Sequence, residues 1–418
     1  MGDVRVIELL KDKTYLRYWF SVIVSFLGDA MTVTTVLYLV GTTVENPLLI
    51  GFVFVAQLLP AVILGPLVGP LIDKYSSRKI MIYSDVFRCF TVLSMILFVD
   101  KPLVLICLTL IQGMGTAFFE PARMASIPIV VGINRIPSGI ALFQTTVAVI
   151  KLVGPVLAGL LLAFQSPSLV FVLDASSYII SGCLIFSLKI LKAQKKEYNT
   201  NSYFNSLWYG VREMFKTPIL LFMMLLLFPV LIGYGMFLTN YKAVLLQYFQ
   251  VSHIEFGILE GIFAFGTVIG AIVGSYAMKK IVHYQLLYIA IGTLGLGVVS
   301  VYGIIKLDVM FSQSVFFILG GWSFITGLAN ALLMVPTSSI FLLNLPEAIR
   351  GRGTAIFYSI FNLFLLGGTL LGGLIASSIN ILLALILSGG ILLITTISYP
   401  IYKNTTFMRK VKNTAISR

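Results

Sequence analysis

Apolar residues along this chain come in long unbroken runs parted by short polar breaks, rather than in alternating or amphipathic stripes. About 20 apolar residues span the hydrocarbon core of a bilayer as an α-helix. Twelve runs of that kind can be read, at 15–41, 47–71, 79–99, 102–121, 139–164, 168–190, 218–244, 255–278, 284–305, 312–336, 353–378 and 380–402. The pattern predicts an all-α membrane protein with twelve transmembrane helices. Its longest break, 191–217, lies near the middle and predicts an N-terminal six-helix bundle over 1–190, a linker, and a C-terminal six-helix bundle over 218–418. Within the linker, 203–216 sets apolar residues at helical spacing between basic ends, as an amphipathic helix on the membrane surface does.

Composition agrees: 58% of the 418 residues are hydrophobic and 11% charged, against roughly 25% charged in a soluble protein. The net charge of +13 does not indicate nucleic acid, because the basic residues sit in the breaks and not with aromatics on a soluble domain. With both ends taken as inside, Lys and Arg crowd the inner breaks and leave Lys101, Lys242 and Lys306 outside. That asymmetry predicts an even number of crossings with cytoplasmic ends, and Met1 to Arg17 then reads as an uncleaved cytoplasmic tail. Cys89, Cys107 and Cys183 fall inside spans without ligand spacing, so no metal or cofactor is expected. No Gly-rich phosphate loop is present, and His253 and His283 form no catalytic cluster; an enzyme is not expected.

Around the first inner break, Gly69, Asp73, Lys74 and Arg78 resemble the loop signature of the major facilitator superfamily, although Ser76 and Ser77 depart from it. A degenerate second copy stands at 274–280, keeping the glycine and the basic pair. Phe118 to Pro128, with Pro121-Ala122-Arg123, and Leu345 to Gly353, with Arg350-Gly351-Arg352, are similar to the bacterial drug and siderophore exporter branch of that superfamily. The resemblance implies alternating access with substrate handled near the midplane. It implies export of an amphiphilic, macrolide-like drug across the bacterial cytoplasmic membrane by proton antiport. Protons, membrane lipids and the substrate are then the partners of a monomer. A siderophore exporter, using Lys151 and Lys242 toward an anionic ligand, and an uncoupled lipid or amphiphile flippase are the rival readings. The superfamily's arginine before the Gln112-Gly113 pair is absent, so a relay through it does not carry over.

Ionisable groups inside spans cost several kcal/mol and mark function. Asp29 and Lys151 lie mid-span at similar depth, which admits two readings: a proton-binding carboxylate whose protonation frees Lys151, or a static ion pair. Asp174 and Glu260, toward the outer side, are either further proton carriers or polar contacts at a wide outer opening. Nearer the inner ends, Asp85 and Arg88 can pair three residues apart. With Asp73, Arg78, Glu120 and Arg123 they form either a gate of ion pairs or a set of snorkelling side chains. Val153-Gly154-Pro155 with Gly159 is similar to the superfamily's antiporter element, and reads as a hinge or as an ordinary proline kink. The candidate cavity residues are Thr32, Gln112, Met114, Phe118, Tyr234, Asn240, Trp322, Asn330 and Met334, whose aromatic, methionine and amide character suits an amphiphile better than a sugar.

Overall fold

A computed structural model describes residues 11–132, 136–164, 166–191, 212, 218–278, 280–281, 283–308, 315–344 and 350–398. Among the described residues every regular element is helical. The helices are α1 (Lys13–Thr43), α2 (Pro47–Lys74), α3 (Ser77–Met95), α4 (Pro102–Val131), α5 (Ile136–Ala163) and α6 (Pro167–Ser187). They continue with α7 (Pro218–Ala243), α8 (His253–Ala277), α9 (His283–Val299, prolonged by Val301–Asp308), α10 (Val315–Asn344), α11 (Arg350–Ser378) and α12 (Ile381–Ile397). Eleven are long and apolar enough to cross a bilayer, and α12 is an apolar helix just short of that length. Each of the twelve predicted spans therefore meets one helix.

Local chemistry sets the ends. Asp12 caps α1, its Oδ1 accepting from the Thr14 amide at 2.9 Å, and Ser76 caps α3 from the amide of Lys79. Pro102 and Pro167 open α4 and α6, where a missing N–H costs nothing. Two boundaries differ from the sequence reading. The expected inner break at 69–79 shrinks to Tyr75-Ser76, because α2 continues through Lys74. The segment after the fourth span, expected as a loop, is helix: α4 carries Pro121 and Pro128 internally and ends only at Gly132, whose φ is +75°. The apolar residues from Ile127 to Val131 offer α4 more to bury than the loop would. The proposed surface helix at 203–216 falls outside the described residues apart from Arg212.

The helices group into two compact units, one of residues 1–45, 52–200 and 249–261, the other of 46–51, 201–248 and 262–418. In the first, α1 packs on α5 and α6, and α3 on α4 and α6. Tyr15, Tyr18, Met81, Phe119, Ile127 and Ile185 make an apolar core at one end of it. In the second, α7 packs on α11 and α12, and α9 on α10 and α12. An aromatic cluster there sets Tyr241 5.2 Å from Trp322 and 5.5 Å from Phe237.

A buried polar cluster as candidate functional site

Three of the first unit's helices carry polar residues at helical spacing: Ser25, Asp29 and Thr32 on α1, Asp85 and Arg88 on α3, and Asp174, Ser177, Tyr178 and Ser181 on α6. Each set is three or four residues apart, so each lies on one helix face. With Gln112 of α4 they meet in the interior.

Arg88 is the centre. Its Nη1 donates to Asp29 Oδ2 at 3.1 Å, and its Nη2 to Asp85 Oδ1 at 2.5 Å and Ser25 Oγ at 3.3 Å. The guanidinium is sandwiched between the rings of Phe119, at 4.3 Å, and Tyr178, at 4.4 Å, which favours a cation. Asp29 Oδ1 accepts from Tyr178 Oη at 2.5 Å and from Gln112 Nε2 at 3.1 Å, while Gln112 Nε2 also reaches Tyr178 Oη at 2.7 Å. Ser181 Oγ donates to Asp85 Oδ2 at 2.8 Å. Asp174 accepts from Thr32 Oγ1 at 2.6 Å and from Ser177 Oγ at 3.3 Å.

Two glycines let these groups meet. Gly28 admits Asp174 beside α1, and Gly115 admits the Arg88 stem, whose Cγ would lie 2.6 Å from a Cβ at 115. The side chains of Arg88 and Asp85 are each 1% exposed, whereas that of Asp29 is 21% exposed. The cluster thus opens to its surroundings through Asp29. It holds three carboxylates against one guanidinium, and only charges that are paired and hydrogen-bonded are tolerable at such burial.

Several expected placements change. Asp29 pairs with Arg88 and not with Lys151, which is exposed on α5 with no described carboxylate in ion-pair reach. Arg88 lies eleven residues into α3, about 16 Å from its start at 1.5 Å per residue. The Asp85–Arg88 pair therefore belongs to the unit's interior and not to an inner surface gate. Asp174 is fully buried and not at a wide outer opening. Glu260 is half-buried on α8. The sequence reading missed Ser25, Ser177, Tyr178 and Ser181, although the 174, 177, 178, 181 spacing was a readable signal.

The other expected gate residues separate. Glu120 and Arg123 pair at 2.7 Å on α4, with Arg123 over the Phe143 ring at 3.8 Å. Tyr18 Oη donates to the Arg123 carbonyl at 2.7 Å. Arg78 donates from Nε to the Ile185 carbonyl at 3.3 Å and from Nη2 to that of Phe186, capping the end of α6. Asp73 lies in the last turn of α2, and its side chain falls outside the described residues.

Of the candidate cavity residues, Thr32 and Gln112 serve the cluster, and Met114 and Phe118 line a groove of about 720 Å³ in the first unit. Tyr234, Asn240 and Trp322 are buried in the second unit, where Asn240 donates to the Met236 carbonyl and Trp322 Nε1 to that of Gly297. Asn330 and Met334 are half-buried on α10. Within α5, Gly154 lets α1 approach at Ala30, and Gly159 lies against the first turns of α8, where a Cβ would come 2.6 Å from the His253 carbonyl. Pro155 is internal to the helix between them.

The sequence pattern of the family described as transmembrane secretion effector matches residues 7–413. The MFS-type transporter YfiS of Bacillus subtilis (strain 168), itself uncharacterized, is 26% identical over 88% of this chain and 88% of its own. Macrolide efflux protein A of Streptococcus pyogenes is 23% identical over 92% of this chain and 95% of its own. The crystal structure of a bacterial homologue of the iron transporter ferroportin in an inward-facing state aligns with a TM-score of 0.73 at 14% identity. That alignment covers 94% of this chain and 99% of the other.

Proposed function

The chain belongs to the transmembrane secretion effector family and is a transporter of the major facilitator superfamily, and from that premise we propose that it exports an amphiphilic organic compound in exchange for protons. The compound is of the macrolide-like drug class, the membrane is the bacterial cytoplasmic membrane, and one copy acts alone with both ends in the cytoplasm. The name of the efflux relative supports the direction and the class. The crowding of Lys and Arg into alternate breaks supports the orientation.

The observation that carries the proton reading is Asp29, the partly exposed carboxylate of an otherwise buried cluster. With Asp29 ionised, Arg88 is shared between Asp29 and Asp85. With Asp29 protonated, Arg88 keeps only the Asp85 ion pair, and the buried negative charge falls by one. A ligand can bias two states only through contacts that differ between them. A proton on Asp29 makes such a difference, because it changes what holds α1 to α3. Asp174 is the second carboxylate of the same site, and Glu260 a more distant one. Arg78 acts as a latch between α3 and the end of α6, Arg123, oriented by Glu120, holds α4 against Tyr18 of α1 and Phe143 of α5, and Gly154, Pro155 and Gly159 act as the point where α5 gives way.

The test is substrate-induced proton release by the purified protein in weakly buffered detergent. Wild type should release protons on binding an exported compound. Asp29→Asn, whose amide imitates the protonated acid, should release none yet still exchange substrate without an energy source. Undiminished release from Asp29→Asn would rule out Asp29 as the coupling group.

A further inference from the structure

The groove that holds Met114 and Phe118 runs between α2, α3 and α4 and is lined also by Leu64, Tyr75, Tyr83 and Phe87. Its volume of about 720 Å³ lies in the range of sites for drug-sized ligands. Lys79 and Ile80, Tyr83 and Ser84, and Phe87 follow one another at helical spacing along the α3 wall. From Lys79 to Phe87 is about 12 Å along the helix axis, a distance that suits a head group at one end and a ring at the other.

We infer that this groove binds a ring-bearing anionic amphiphile, which reaches it from the bilayer, lays its apolar body against Tyr83, Phe87, Met114 and Phe118, and sets its anionic head at Lys79. It is a substrate site only insofar as the export of an amphiphile proposed above holds, on which it rests, with an anionic amphiphile in place of a macrolide-like one. Four aromatic side chains and a methionine dominate the lining, and such surfaces match rings better than saturated chains do. Lys79 is exposed and makes no ion pair with any described residue. It stands in the first turn of α3, at the positive end of the helix dipole. Both features favour an anion over a cation at that end.

The groove also abuts the polar cluster. Gly115 forms part of its wall, and a Cβ there would lie 2.6 Å from Arg88 Cγ and 3.1 Å from the Phe87 ring. A ligand pressed on Phe87 and Gly115 therefore lies beside the stem of the arginine that holds Asp29.

The test uses the full chain in phosphatidylcholine nanodiscs, with Cys89, Cys107 and Cys183 changed to alanine and Met114→Cys as the reporter. Met114 is 40% exposed and tolerates the exchange, and Phe87→Cys serves as a second reporter. The rate of alkylation by N-ethylmaleimide is measured against dodecylbenzenesulfonate, dodecylpyridinium and dodecyl sulfate. Dodecylbenzenesulfonate should protect both reporters at about fivefold lower concentration than dodecylpyridinium, the preference expected of roughly 1 kcal/mol per interfacial charge. Lys79→Glu should reverse that order, and Ile394→Cys, on a lipid-facing helix of the other unit, should show no protection. Equal protection by both ring compounds overturns the anionic head. Protection by dodecyl sulfate equal to that by dodecylbenzenesulfonate assigns the groove to a plain lipid chain and overturns the ring-bearing ligand. Since protection needs no transport, its absence overturns the groove and leaves the export reading standing. Full protection in a protein that moves no substrate overturns the export reading instead.

Discussion

Gly28 and Asp174 stand on neighbouring helices so close together that a Cβ on Gly28 would overlap Asp174 Oδ1 and fall 2.5 Å from Ser177 Oγ. Gly28→Ala should therefore cost about 1–3 kcal/mol of stability, the usual penalty of overpacking. Asp174→Ala in that background should restore part of the loss, since it removes the atom that is struck. Thermal unfolding in detergent measures both, and strictly additive losses would show that the two residues do not meet.

Removing the guanidinium alone should be far more damaging than removing it together with the charges of the two acids it pairs with. Arg88→Met leaves Asp29 and Asp85 facing each other without a cation, and should cost about 3–5 kcal/mol. The triple change Arg88→Met, Asp29→Asn, Asp85→Asn should recover most of it. A triple variant as unstable as the single one would contradict the ion-pair account.

Lys151 offers a contrasting control. Mid-span on α5 and without an ion-pair partner among the described residues, it holds nothing by pairing, so Lys151→Ala should cost no more than about 0.5 kcal/mol. A loss several times larger in the same thermal assay would mean that Lys151 does hold a buried partner.

Arg78 should matter locally. Its guanidinium satisfies the carbonyls of Ile185 and Phe186, so Arg78→Ala should speed hydrogen exchange at the end of α6 while leaving the α1 centre protected. Uniform loss of protection throughout α6 would show that Arg78 does more than close the helix end.

For the orientation, Lys195→Cys in the linker should resist a membrane-impermeant thiol reagent added to intact cells and react once the membrane is opened. Labelling from outside would invert the proposed topology.

Twelve spans could be read because length and apolarity along the chain are one-dimensional quantities. The partner of Asp29 could not be read in the same way. Depth placed Lys151 level with Asp29 and Arg88 nearer the inner end, but the choice depends on which way α3 and α5 are rotated about their axes. In helices apolar nearly all round, hydrophobicity does not record that rotation. The polar residues do record it: the 174, 177, 178, 181 series shows which face of α6 turns inward, and Ser25, Asp29 and Thr32 do the same for α1. The extra length of α4 was hidden for a different reason. Pro121 reads as a stop, yet one lost backbone bond was outweighed by the apolar turn that follows.

The pairing of Arg88 with an acid on its own helix bears on how the chain is made. An arginine at the centre of a lone helix raises the cost of passing from the translocon into lipid by roughly 2.5–3.5 kcal/mol. Asp85, three residues away, gives α3 a counter-charge as soon as its first turns form, before any partner helix has docked. The segment can thus leave the translocon close to electrically neutral. The bond to Asp29 is then left to be made within the bilayer, as a late step that draws α1 and α3 together.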